Sequence, residues 1–293
     1  MAKTGKHQKQ NKRRGKVFIV LLLVFIFVII ALFADSNLRL VTTEFELRYA
    51  NLPSSFDGFR IALIADIHGA EHGENNERLI RRIRDAEPDI IAIAGDLIDD
   101  HQRRIPLERQ FEIAETLTTA LLEIAPVYFV TGNHEWDIGN TLEFLGMLRD
   151  WGVVVLRNNY ILLERGGQSI ILVGIDDPHG PADMPSPNEV IGRIAETNDA
   201  DFMIVMYHRN YKLPMFSQLG VDLLLSGHAH GGLVRLPFTD GLIGPRREFF
   251  PTHTSGLYTM GTTNMIVTRG LGNHYGWTRF LNNPEVVVIE LRG

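Results

Sequence analysis

Three short apolar runs, each closed by a small polar cluster and followed by a helical pattern, constrain this chain more than any other feature. Phe59 to Ala65 ends in Asp66-Ile67-His68-Gly69, and Leu79, Ile80, Ile83 and Ala86 then recur at helical spacing opposite arginines. Asp89 to Ala94 ends in Gly95-Asp96-Leu97-Ile98-Asp99, ahead of Leu107, Phe111, Ala114, Leu117 and Leu121. Pro126 to Val130 ends in Thr131-Gly132-Asn133-His134-Glu135, ahead of Leu142, Leu145, Leu148 and Trp151. Strand, loop and helix repeated in this way predict an α/β fold with parallel strands. In such sheets the loops leaving the carboxyl ends of the strands converge on one edge, where ligands bind.

The second half is richer in strands. Val153 to Leu156, Tyr160 to Glu164 and Ser169 to Gly174 read as a meander, with Arg165-Gly166-Gly167 as its last turn. Ser186-Pro187-Asn188-Glu189 is a capping box with proline at the first helical position, and it opens a helix to about Glu196. Phe202 to Tyr207 is a strand ending in His208, and Val221 to Leu225 is one ending in Gly227-His228-Ala229-His230-Gly231. Ile266-Val267-Thr268 and Val286 to Leu291 close the chain as strands.

The N-terminus follows different rules. Every residue from Val17 to Ala34 is apolar, and eighteen residues of helix span roughly 27 Å, close to the hydrocarbon thickness of a bilayer. Lys3, Lys6, Lys9, Lys12, Arg13, Arg14 and Lys16 precede this run without a single acid. An uncleaved anchor is favoured over a buried core helix, because the run is apolar all round. It is favoured over a signal peptide, because Leu32-Phe33-Ala34 is a poor cleavage site. The basic head should remain in the cytoplasm, putting the rest of the chain outside it as a single-pass cell-membrane protein. The expected organisation is a basic head over 1–16, a transmembrane helix over 17–34, a juxtamembrane connection over 35–58 and one globular domain over 59–293. The connection carries strand-like alternation at Leu40 to Leu47.

Charge and cysteine count narrow the chemistry. Taking the seven basic residues of the head from a net charge of -6 leaves about -13 on the rest, a poor surface for tracking along nucleic acid. With no cysteine, a metal must be held by histidine, carboxylate or amide oxygen. The strand ends offer Asp66, His68, Asp96, Asp99, Asn133, His134, His208, His228 and His230. That is the mixed nitrogen and oxygen set that two adjacent divalent cations need. His179, His253 and His274 are read as loop residues without a role.

The series Asp66-x-His68, Gly95-Asp96-x-x-Asp99, Gly132-Asn133-His134-Glu135, His208 and Gly227-His228-x-His230 resembles the calcineurin-like metallophosphoesterase signature in content and order. The resemblance implies two mixed β-sheets packed as a sandwich and flanked by helices, with a dinuclear site at the strand ends. It also implies roles: Asp66, His68 and His230 on one metal, Asn133, His208 and His228 on the other, and Asp96 bridging them. A hydroxide bridging the two metals would attack phosphorus, with His134 protonating the leaving oxygen and Asp99 orienting His134. Gly227 to Pro237, Thr268 to Gly272, Arg279 and Pro284-Glu285 look like the membrane-associated phosphodiesterase branch of the family. Some members of related branches cleave the pyrophosphate of UDP-diacylglucosamine. Ala65, Ala229, Leu233 and Arg209-Asn210-Tyr211 depart from the usual residues, which puts substrate preference in doubt rather than the metals.

The expectation is therefore a membrane-anchored phosphoesterase, with a phosphodiester preferred to a monoester. It would use two ions of manganese, iron or zinc, with Arg209 a candidate for pairing with a substrate phosphate. A lipid-linked substrate is attractive because the anchor holds the site near the bilayer. The alternatives are a cytoplasmic UDP-2,3-diacylglucosamine pyrophosphatase and a non-catalytic metal-binding scaffold of the same fold. Oligomeric state is left open.

Overall fold

The computed structural model describes residues 2–99, 105–198, 201–236, 239–244, 248–273 and 279–293, with side chains from residue 15 onward. A long helix, α1 (Ala2–Leu38), leads into β1 (Val41–Arg48), β2 (Arg60–Ile64), α2 (Glu77–Asp85), β3 (Ile90–Ala94), α3 (Leu107–Leu122) and β4 (Val127–Val130). There follow α4 (Asn133–Asp137), α5 (Thr141–Asp150), β5 (Val154–Val155), β6 (Asn159–Arg165), β7 (Gln168–Ile175), α6 (Pro187–Thr197) and β8 (Met203–Tyr207). The chain ends with α7 (Leu213–Gln218), β9 (Leu223–Ser226), β10 (Val234–Arg235), β11 (Gly241–Ile243), β12 (Gly256–Met260), β13 (Thr263–Val267) and β14 (Glu285–Arg292).

Two six-stranded mixed sheets form the body. The first runs β1-β14-β2-β3-β4-β5, and the second β12-β13-β9-β8-β7-β6. The strands β2, β3 and β4 pair in parallel, as the repeated strand-helix pattern predicts. Strand β3 (Ile90–Ala94) is buried at all five positions, which is why it reads as an unbroken apolar run rather than an alternating one. Between the sheets, Ile61, Leu63, Ala92 and Val130 of the first meet Leu172, Ile204, Met206 and Leu225 of the second. The outer face of the first sheet is covered by α2, α3 and α5 through Leu79, Ile83, Leu117, Leu121, Phe144 and Leu148. On the second, Val190, Ile191, Ile194, Leu213 and Phe216 of α6 and α7 do the same. The two sheets packed face to face with helices outside are the architecture the family resemblance implies.

Two expectations give way. Residues 35–58 are not a free connection: β1 lies parallel to β14 over eight residue pairs, and Leu47, Tyr49, Leu52 and Phe56 enter the inter-sheet core. The alternation at Leu40 to Leu47 is thus the half-buried pattern of a sheet-edge strand, and a boundary at residue 59 would cut the sheet. Nor is Val153 to Leu156 part of a meander. β5 joins the edge of the first sheet beside β4, whereas β6 and β7 form a hairpin in the second. The chain changes sheets at Leu156 to Asn158, where Asn158 takes a left-handed φ of 50°.

In α6 the capping box forms as predicted, with Glu189 donating its N–H to Ser186 Oγ at 3.4 Å and Ser186 donating its own to Glu189 Oε2 at 2.6 Å. At the other end of the chain, Gly15–Leu38 within α1 has a mean hydropathy of 3.6, with none of its most apolar window buried. It is the one helix among the described residues long and apolar enough to cross a membrane.

Candidate dinuclear metal centre

Five loops at the carboxyl ends of β2, β3, β4, β8 and β9 meet at one edge of the sandwich. Their backbones lock together: Ile67 and His68 donate N–H to the Asp96 carbonyl at 2.7 and 3.0 Å, and Gly227 donates to the His208 carbonyl at 3.0 Å. The fit leaves no room at the glycines that introduce the polar residues. A Cβ on Gly95 would lie 2.5 Å from the Gly132 nitrogen and 2.8 Å from His208 Nδ1, and Gly95 has a φ of +85° that side chains resist. Asp66, His68, Asp96, His228 and His230 themselves adopt φ between 47° and 68°. Strain of this kind, of order 1–3 kcal/mol per residue, persists only where surrounding contacts enforce it, and it gathers at functional sites.

Two groups of candidate ligands result. Asp66, His68, Asp96 and His230 each present a donor atom within 4.8 Å of the others, and so do Asp96, His208 and His228. Asp96 belongs to both groups. His68 Nε2 lies 3.1 Å from His230 Nε2 and 3.8 Å from Asp96 Oδ2. His208 Nε2 lies 3.1 Å from Asp96 Oδ2 and 3.2 Å from His228 Nδ1. Asn133 Oδ1 is buried without a hydrogen-bond partner, a costly position for an amide oxygen and an ordinary one for a metal ligand. This buried His/Asp cluster fits a dinuclear metal site.

The imidazoles are aimed by what holds their other nitrogens. His208 Nδ1 lies 2.7 Å from the Ala94 carbonyl, so it carries the proton and Nε2 faces Asp96. Asp99 touches two rings, with Oδ1 2.9 Å from His134 Nδ1 and Oδ2 3.3 Å from His68 Nδ1. It was expected to orient His134, and its carboxylate contacts His68 as well. The trio of His68, Asp99 and His134 is accordingly read as an orienting cluster.

Electrostatics follow from burial among so many charges. Burial raises the Asp66 carboxyl against the pull of His208. For Asp96, burial is outweighed by His208 and His134, which hold its carboxyl well below the usual range. His134 is disfavoured as a cation by burial, yet Asp96 and Asp99 raise it to about 9. Similarly, His208 rises to about 10 against burial because of Asp96 and Asp66.

Three residues of this site carried no assigned role or a different one in the sequence reading. Glu135, fully buried, accepts the N–H groups of Asp96 at 2.9 Å, Leu97 at 2.7 Å and Gly132 at 2.7 Å, tying the β3 and β4 loops together. Burial and then Asp96 push its carboxyl up to about 7. Asp177 is the second, and it changes the reading of the third, Arg209. The Arg209 guanidinium is not presented for a substrate phosphate: Nε and Nη2 are taken by the Asp177 carboxylate at 2.5 and 2.8 Å, and Nη1 donates to His228 Nε2 at 3.0 Å. Only the shared Gly-Asn-His-Glu motif signalled Glu135, and nothing local signalled Asp177, which reaches the site from β7.

Among the other histidines, His179 pairs with Asp137 at 2.8 Å and His253 packs edge-on against Tyr258. His274 lies outside the described residues. Arg279 is buried with Nη2 donating to the Gly272 carbonyl at 2.6 Å.

Comparison with known proteins agrees with this geometry. The family model described as calcineurin-like phosphoesterase matches residues 59–232, more than half of the chain. The metallophosphoesterase YkuE of Bacillus subtilis is 30% identical over 86% of this chain and 85% of its own length. The phosphodiesterase YaeI of Escherichia coli is 27% identical over 80% of this chain and 82% of its own. A transmembrane protein with metallophosphoesterase domain from Danio rerio is 28% identical over 85% of this chain, which spans 56% of that longer protein. This protein belongs to the calcineurin-like phosphoesterase family.

Proposed function

We propose that the protein is a membrane-anchored, two-metal phosphodiesterase. Asp66, His68 and His230 would hold one ion and Asn133, His208 and His228 the other, with Asp96 shared between them. Two divalent cations there would supply charge compensation for the phosphoryl oxygens and lower the pKa of water toward neutrality. The chain's own residues do the rest. His134 Nδ1 is held by Asp99, leaving Nε2 turned toward Asp96 Oδ2 at 4.0 Å. With Nδ1 engaged by Asp99, Nε2 is the ring atom from which a proton would pass to the leaving oxygen. Glu135 keeps the two loops in register while this happens.

The membership of Asp96 in both ligand groups is the observation that carries the reading. A diester is favoured over a monoester because the nearby guanidinium is already neutralised: Arg209 is spent on Asp177. A dianionic monoester would call for an additional cation, whereas a monoanionic diester does not. The name of the relative YaeI points the same way. The apolar helix Gly15–Leu38, with the basic head before it, supports an anchor whose catalytic domain is extracytoplasmic.

The test is hydrolysis of p-nitrophenyl phosphate and bis-p-nitrophenyl phosphate by the full chain in detergent, with manganese, iron(II) or zinc. The expected result is chelator-sensitive turnover with kcat/KM higher on the diester. Faster monoester turnover would reject the diester preference. Bound metal without turnover of either ester would leave the scaffold alternative standing.

A further inference from the structure

The last turn of α1 is clamped to the domain rather than tethered. Ser36 Oγ accepts the Leu281 N–H at 2.7 Å, Asn37 Nδ2 donates to the Arg279 carbonyl at 2.9 Å, and Asn283 Nδ2 donates to the Asp35 carbonyl at 2.8 Å. The clamping segment also supports the metal loop, since Asn282 Nδ2 donates to the carbonyls of His230 at 2.7 Å and Leu233 at 3.2 Å. The end of the apolar helix and the His230 loop therefore share one rigid support.

From that support a ladder of backbone contacts runs outward. Phe280 bridges Val234, β10 pairs with β11, and Ile243 bridges Phe249. Three strand spacings amount to about 15 Å. At the end of the ladder, the adjacent Phe249 and Phe250 are 75% and 73% exposed. The same two residues, with Tyr211 and Pro251, line a cavity of 320 Å³ that reaches His228. Beside the helix end, Arg78, Arg81, Arg82 and Asp85 line a cleft with Leu38 to Leu40.

We propose that Phe249 and Phe250 dip into the bilayer that α1 enters, so that the cavity at His228 opens at the level of the lipid headgroup phosphates. The proposal rests on the anchor reading above. A tip joined through about 15 Å of paired backbone to a clamped helix end keeps a fixed relation to it, unlike one on a tether. Phenylalanine side chains gain apolar burial by entering the headgroup and acyl boundary. Arginines beside the helix end would meet the phosphates on the same plane.

The experiment reads fluorescence quenching in full chain reconstituted into phosphatidylcholine vesicles, with and without bromine on the acyl chains. One tryptophan is added at a time, as Phe249→Trp at the tip, Leu162→Trp on the far edge strand β6, or Leu22→Trp within α1, and the wild-type signal is subtracted. The expected result is at least a two-fold loss of the added signal for Phe249→Trp and Leu22→Trp, with none for Leu162→Trp. An unquenched Phe249→Trp beside a quenched Leu22→Trp overturns the proposal and spares the anchor. An unquenched Leu22→Trp removes the anchor, and the proposal with it. Equal quenching at Leu162→Trp also overturns it, since adsorption would then be general.

Discussion

Asp96 and His134 sit on adjacent loops and are both buried, yet removing them should have different consequences. Asp96→Ala takes a donor from both ligand groups, so metal analysis after gel filtration should find both ions lost. His134→Ala leaves every proposed ligand in place. It should retain metal while kcat falls by about 10²- to 10⁴-fold, the usual contribution of a positioned general acid. Equal loss of metal in the two variants would contradict the assignment. A second residue offers a pH test away from the metals. His72 is buried with Nε2 3.2 Å from the Leu271 carbonyl, and burial lowers its pKa to about 4. The folded protein therefore binds this proton more weakly than the unfolded chain does. Its stabilisation is complete above pH 6.5 and is lost as pH falls toward 4, roughly 1.4 kcal/mol per pH unit. The stability gap between wild type and His72→Gln, from urea unfolding, should narrow by about 2 kcal/mol between pH 7.5 and pH 5. A gap that stays constant would show that His72 charges as easily folded as unfolded. At this scale the sequence singled out the residues that converge, and Asp99 beside His134, but not the rest of what holds them. Asp66, His68, Asp96 and the rest announce themselves because each follows a recognisable strand within one or a few residues. Asp177 and Arg209 find each other across 32 positions of chain, and no local pattern encodes that meeting.

Elements were legible in proportion to how locally their burial is determined. The central strands β2, β3 and β4 are apolar on both faces, and their helices keep a clear stripe, so both could be read directly. Edge elements were harder. β1 alternates only weakly and follows a long apolar helix, which made it look like a connection, although β14 supplies its pairing from the other end of the chain. Short β5 was joined to the wrong neighbours because pairing across sheets leaves no trace in local periodicity. The edge strand yields a test by truncation. Protein starting at residue 35 keeps β1, whereas protein starting at residue 59 exposes the β14 edge and strips Leu47, Tyr49, Leu52 and Phe56 from the core. Burying side chains of this size is worth about 1.5–3 kcal/mol each, so the shorter form loses an amount comparable with the whole stability of a domain. It should be insoluble or lack a cooperative melt by circular dichroism, while the longer form melts cooperatively. A cooperative melt from residue 59 would mean that β1 is dispensable.

At the scale of the whole molecule, the proposed anchor implies a side of the membrane for the site, and here charge and composition combine. Seven basic residues and no acid precede the apolar run, so the proposed anchor would keep the head in the cytoplasm and the folded part outside. The cytoplasmic UDP-diacylglucosamine reading requires the reverse arrangement. Because the chain contains no cysteine, a single introduced thiol reports its own side without background. Glu143→Cys lies on the exposed face of α5, and Thr4→Cys lies in the head. In intact spheroplasts a membrane-impermeant maleimide should label the first at once and the second only after lysis. The opposite pattern would place the catalytic residues beside the cytoplasmic pool of nucleotide-linked lipid precursors. It would favour the pyrophosphatase reading without altering the metal centre, because that centre is built from loop geometry that is the same on either side. Orientation thus selects the substrate pool, while the five convergent loops set the chemistry performed on it.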